Sequence, residues 1–223
     1  MSEAPRMIRN GRAAFALHPR KAGEGTPLLL LHELFASAAA WSAEVDAWPG
    51  PVFALDFAGH GASDRLRGGS YGFDRHLSDA DLALREIGTA ALAGAGAGAW
   101  YGLIVAGTRP ERVPGCLLLP GAGLAAGGDV WDPMDVRPRI PGDAERAAFE
   151  GDADPYTLAC DLEPRPVWFS EPFAAAANAI VLAEDAGERP AWWRAAAARP
   201  GARVAKDLAS GLAALAEVCA VRS

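Results

Sequence analysis

Val52-Phe53-Ala54-Leu55-Asp56-Phe57-Ala58-Gly59-His60-Gly61-Ala62-Ser63-Asp64 is an apolar run that stops abruptly at a glycine-rich turn. Val52 to Asp56 has the length and character of a strand buried on both faces. Ala58-Gly59-His60-Gly61 ends it, since paired glycines suit a tight reversal. Upstream, Pro27-Leu28-Leu29-Leu30-Leu31-His32 repeats the same order of apolar run and stop, and Ser37 is placed to cap a helix reaching about Trp48. Two short segments before it, Met7–Gly11 and Ala13–Leu17, read as leading strands. Downstream, Asp74 to about Gly88 spaces Leu77, Leu82, Leu84 and Ile87 among charges, which predicts a surface helix. Thr89–Ala93 is short and apolar, Gly94–Gly98 punctuates, Ala99–Gly107 reads as helix and Val113–Leu119 as strand. Strands and helices alternating at this spacing predict βαβ units, hence a parallel sheet with helices on both faces.

From about Leu124 to Ala177 the rhythm breaks. The stretch is rich in Pro and Asp and carries Trp131, Met134, Phe149, Tyr156, Trp168, Phe169 and Phe173. That is too aromatic for a disordered linker and too irregular for another βα unit, so an inserted lid is expected there. The alternation resumes with Ala179–Ala183 (strand), Pro190–Arg199 (helix), Ala202–Ala205 (strand) and Ala209–Val221 (helix).

Composition bounds the function classes. Of 223 residues, 50 are alanine and 25 glycine, so the 51% hydrophobic content overstates the large side chains available for a core. A net charge of −7 argues against nucleic-acid or anionic-membrane surfaces, which need a clustered positive field. No apolar run approaches the roughly 18–20 residues of a membrane span. Met1–Arg6 lacks the basic-then-apolar order of a signal peptide, so a cytoplasmic location is the expectation. Cys116, Cys160 and Cys219 lie far apart with no CxxC, which points to neither a disulfide framework nor a zinc site.

Together Leu28–His32, Ala54–Asp64 and Arg109-Pro110-Glu111-Arg112-Val113 leading into Leu117–Leu119 resemble the α/β-hydrolase fold family. The resemblance implies an α/β, doubly wound, mostly parallel sheet in one domain over 1–223, with the lid insertion at approximately 124–177. In that family, function rests on a G-x-S-x-G nucleophile elbow followed by an acid and a histidine. The matching position here is Gly94-Ala95-Gly96-Ala97-Gly98, so Gly96 stands where the nucleophile is expected. The four histidines, His18, His32, His60 and His76, all precede it. Where the family places its base, this chain has Ser210, Gly211 or Leu212, and none can replace imidazole near neutral pH. Asp185 lies near the acid position, with Ala186 the alternative alignment. His32-Glu33 replaces the usual His-Gly of the oxyanion loop. The backbone N–H groups of Leu34 and Ala97 remain able to converge on a carbonyl oxygen or small anion, although a Glu33 carboxylate aimed at that space would repel an oxyanion.

Other readings compete. Gly94-Ala95-Gly96-Ala97-Gly98-Ala99 fits the dinucleotide pattern G-x-G-x-x-A, but the acidic residue expected about 20 positions on is missing. His32 is expected to bond loop backbone, His60 to be structural or at the surface, and His76 to be a solvated helix residue. Trp100 and Tyr101 are expected as core or pocket wall. Asp129, Asp132 and Asp135 lack dense ligand spacing and read as a solvated loop, so neither metal nor cofactor is expected. Pocket candidates are His32, Glu33, Leu34, Gly96, Ala97, Trp100 and Trp131. The expectation is a non-hydrolytic homologue that binds a small apolar or carbonyl-containing molecule, or a protein partner such as a second copy of itself. The alternative is non-covalent acid–base catalysis (a lyase, cyclase or isomerase step) through Glu33, His32 or Asp185.

Overall fold

In the computed structural model, residues 4–66, 71–130, 141–183 and 189–222 are described. The strands are β1 (Arg6–Asn10), β2 (Ala13–Lys21), β3 (Leu28–Leu31), β4 (Val52–Asp56), β5 (Ala91–Ala95), β6 (Cys116–Leu119), β7 (Ile180–Ala183) and β8 (Arg203–Ala205). They form one sheet in the order β1-β2-β4-β3-β5-β6-β7-β8. β1 and β2 are antiparallel, and every pairing from β4·β3 onward is parallel. The helices are α1 (Phe73–Ile87), α2 (Ala97–Thr108), α3 (Asp143–Ala147), α4 (Val167–Ala176), α5 (Ala191–Ala197) and α6 (Leu208–Arg222). Among the described residues no helix is long and apolar enough to cross a membrane.

Successive strand residues point to opposite faces, and the continuous apolar runs exploit that period of two. Leu29 and Leu31 enter the larger core with Leu92, Cys116, Leu118, Ile180 and Leu182, under α1, α2, α4 and α5. Leu28 and Leu30 enter the second core with Ala91, Ala93, Leu117, Leu119 and Val181, under α6 and the 38–48 segment. All four leucines of β3 are fully buried. At about 1.5–3 kcal/mol per buried leucine, this strand anchors both layers at once.

Two local expectations are revised. Ser37 to Trp48 is not a continuous helix but two 3-10 turns, Ala38–Ala40 and Ala43–Ala47. Side chains from β2 take the carbonyls a helix would use: Arg20 donates to the Ser42 oxygen, and Lys21 to the Asp46 and Trp48 oxygens. Buried Asp56, at the end of β4, accepts from Ala38 N–H at 2.6 Å and Ala62 N–H at 2.8 Å. It thereby ties the 3-10 turn and the glycine turn to one strand end. The second revision is His76, which is fully buried rather than solvated. The inward face of α1 is His76, Asp79, Ala80, Ala83 and Leu84, spaced three and four apart. Alanines let that face approach the sheet closely, so the more conspicuous Leu77, Leu82 and Ile87 pack only partly buried.

Candidate functional site

β5 runs into α2 through one residue, Gly96, with φ 54° and ψ −119°. An L-residue avoids this left-handed region, and glycine adopts it without penalty. The flanking glycines are needed for proximity: a Cβ on Gly94 would overlap the Gly98 carbonyl, and one on Gly98 would overlap the Leu31 carbonyl. The strand-to-helix elbow is therefore fully formed, with no side chain at its apex.

The space above the apex is filled by backbone. A Cβ on Gly96 would overlap the carbonyl oxygen of Ala122, in the turn that follows β6. That oxygen accepts two hydrogen bonds, from Ala97 N–H at 2.9 Å and Leu34 N–H at 3.2 Å. The pair expected to converge on a carbonyl or anion does converge, and the chain's own Ala122 carbonyl occupies it. Glu33 holds the other side of the same residue, its Oε2 accepting from Ala122 N–H at 2.6 Å. The carboxylate thus points at a backbone donor rather than into an empty oxyanion space. Further ties fix the turn: Gly96 N–H donates to Leu119 O at 3.0 Å and the Trp192 indole donates to Leu124 O at 3.1 Å. On the other wall Phe35 sits at φ 68°, a strained backbone next to Leu34. Asp152 N–H bonds its carbonyl at 3.1 Å.

Glu33→Ala is expected to loosen this plug. Removing a charge-assisted bond at a half-exposed site lowers stability by about 1 kcal/mol in denaturant unfolding, and Glu33→Gln, which keeps an acceptor, loses less. Amide exchange at Leu34 and Ala97 should quicken in Glu33→Ala. Unchanged protection there would show that Glu33 does not hold the plug.

His32 is committed to structure. The bonding pattern assigns its proton to Nδ1, which donates to Glu33 O at 2.7 Å, while Nε2 accepts from Phe57 N–H at 3.1 Å. Its ring stands 5.0 Å from that of His60, which stands 5.5 Å from that of His76. His60 Nδ1–H and His76 Nε2–H both donate to Ala58 O, each at 3.2 Å, and the Tyr101 hydroxyl donates to His76 Nδ1 at 3.3 Å. Phe35 N–H reaches His60 Nε2 at 3.4 Å. Burial, the dominant cause, lowers all three imidazoles to about 3, so they are neutral at pH 7. Asp79 completes the seam by accepting from Ala58 N–H at 2.9 Å and Asn10 Nδ2 at 2.7 Å, and burial raises its pKa to about 6. Among the described residues no three His, Cys, Asp or Glu side chains are grouped to hold a metal.

The remaining candidates scatter. Trp100 and Tyr101 are buried in the first turn of α2, and the Trp100 indole donates to Ser170 Oγ at 2.9 Å, linking α2 to α4. Trp168 stands 63% exposed, with Leu162 and Val130 also open to solvent. Ser210, one of the three candidates for the family's base position, accepts from Lys206 N–H and Asp207 N–H at the start of α6. Trp131 and Asp185, with Asp132, Asp135, Met134 and Ala186, lie outside the described residues. Ala122 is a site residue that the sequence does not single out. Its signal is Pro120-Gly121-Ala122-Gly123, two glycines around an alanine directly after a strand, which the abundance of both residues masks.

No protein-family model matches the chain, and no curated protein matches it in sequence. Solved structures do match. A thioesterase domain from the curacin biosynthetic pathway is 17% identical and covers 99% of both chains with a TM-score of 0.67. A hydrolase from Pseudomonas aeruginosa PA01 is 18% identical over 96% of each chain, also at 0.67. The bottromycin epimerase BotH, solved with bottromycin A2, is 20% identical over 98% of this chain and 96% of its own, at 0.62. With the sheet order above, these likenesses establish the α/β-hydrolase fold.

Proposed function

We propose that this α/β-hydrolase-fold protein is a non-hydrolytic, small-molecule-binding member of that fold, without a working serine nucleophile or catalytic histidine. The observation that carries the reading is the Ala122 carbonyl on the Leu34 and Ala97 N–H groups. Acyl transfer needs those donors free to stabilise a developing oxyanion, and here they are satisfied before any substrate arrives. Gly96 offers no attacking atom, and no histidine follows His76. The alternative, acid–base catalysis in the same place, is weakened because both nitrogens of His32 and the Glu33 carboxylate are engaged by backbone groups. In this reading α4, tied to α2 through Trp100 and Ser170, serves as a lid, and the neighbouring epimerase illustrates that the fold also hosts non-hydrolytic chemistry.

The freshly purified chain is expected to hydrolyse p-nitrophenyl acetate and butyrate no faster than the buffer does. Native mass spectrometry is expected to show a monomer carrying a small-molecule adduct. Ester turnover that disappears on mutating Glu33 or Trp100 would overturn the proposal, and a stable oligomer without adduct would replace it with an interface role.

A further inference from the structure

Arg165 lies between the 3-10 helix Pro155–Leu162 and α4, and it is 1% exposed. None of its three guanidinium nitrogens has a hydrogen-bond partner. Its guanidinium carbon stands 5.1 Å from the Trp100 ring centroid and 5.7 Å from that of Tyr101. Glu163, two residues earlier, gives its carboxylate to Phe73 N–H at 2.9 Å instead. Sealing a guanidinium from water costs several kcal/mol, and stacking on aromatic faces returns about 2 kcal/mol at best. Apart from its interaction with the Tyr101 side chain, the guanidinium therefore remains a planar fork of donors with no carboxylate to grip.

We propose that Arg165 is the anchor for the carboxylate of an organic ligand seated between α2 and the 3-10 helix Pro155–Leu162, with Trp100 and Tyr101 as its aromatic wall. This rests on the non-hydrolytic binding reading above and supplies its ligand class. A guanidinium fork takes a carboxylate in two parallel bonds. A phosphate dianion suits the place less well, because Glu163 and Asp161 already act electrostatically on Arg165 and would repel a second negative charge more strongly. Close by, the Tyr101 hydroxyl oxygen, whose proton goes to His76 Nδ1, keeps an acceptor side for the rest of the ligand. The guanidinium is closed off from solvent, so the ligand enters by parting the strip where Gly127 N–H bonds Glu163 O at 3.1 Å and Arg165 N–H bonds Gly128 O at 2.7 Å.

The test titrates the full chain with acetate, succinate, benzoate and octanoate, with the corresponding neutral amides, and with inorganic phosphate, following thermal unfolding. At least one carboxylate should raise Tm saturably while its amide does not, and Arg165→Met should weaken that carboxylate at least tenfold. Arg165→Met should keep or raise the ligand-free Tm, since an apolar side chain of similar volume removes an unpaired charge. No saturable carboxylate effect, equal binding by Arg165→Met, or an equal response to amide or phosphate would overturn the site. Should that variant fail to fold, the carboxylate–amide comparison on the unaltered chain decides. Failure here leaves the non-hydrolytic reading standing, whereas buffer-exceeding ester turnover defeats that reading whatever the carboxylates do.

Discussion

Gly96→Ser is expected to yield no esterase and to cost roughly 3–5 kcal/mol of stability. Placing an L-residue at φ 54° costs about 1–2 kcal/mol by itself. The new Cβ then meets the Ala122 carbonyl oxygen, which is backbone and cannot swing aside like a side-chain tip. Relief requires the turn after β6 to move, which breaks its bonds to Leu34 and Ala97, at about 1 kcal/mol each. The serine gained is unactivated, because no histidine stands downstream to take its proton. Denaturant unfolding and p-nitrophenyl ester turnover check both halves. A variant as stable as the parent, or one that turns over ester, would refute the plugged elbow.

Stability should fall steeply below pH 6. His32, His60 and His76 have folded pKa values lowered to about 3 from 6.5, so each contributes stability that is complete above 6.5 and is lost as pH falls towards 3. Two buried acids act oppositely. Asp79, raised to about 6 from 3.8, and Glu163, raised to about 7 from 4.5, hold protons in the folded state that the unfolded chain has released. Their contribution grows as pH falls through those windows. Near pH 7 the opposing groups nearly cancel and the profile is flat. Around pH 5–6, three histidines against two acids leave about one net proton taken up on unfolding, a slope of about 1.4 kcal/mol per pH unit. Unfolding titrations from pH 7.5 to 4.5 should show a plateau and then this decline. Histidine ring nitrogen shifts should report three imidazoles still neutral until the protein unfolds. Any of the three titrating near 6.5 in the folded protein would contradict the buried seam.

What the sequence revealed follows physical size. The apolar runs and the Asp56–Asp64 turn carry large, patterned side chains, and the sheet could be read from them. Gly94-Ala95-Gly96-Ala97-Gly98 was readable as an elbow because a strand-to-helix turn of this kind demands glycine at fixed places. The plug was not readable, since it is made of a carbonyl, and every residue has one. Leu34, Ala97 and Ala122 meet through backbone atoms whose convergence depends on the strand order, with Leu34 and Ala122 separated by 88 positions in the chain. The burial of His76 is hidden in the sequence for a related reason. Neighbouring Arg75 and Asp79 look solvated, yet the inward face of α1 is set by Ala80 and Ala83, which mark close approach rather than exposure. Arg165 gave no warning either, because burial of a charge becomes visible only when its surroundings are assembled.

The occupied pair of N–H groups bears on how readily this scaffold could be given chemistry. Catalytic repertoires usually change through side chains, which one codon can alter while the main chain keeps its course. Here the obstacle is the main chain itself, so introducing a serine, a histidine and an acid together would still leave the anion cradle taken. A designer would have to re-route Pro120–Leu124 first and install residues second. That order makes the protein a demanding starting point for designing a new serine hydrolase.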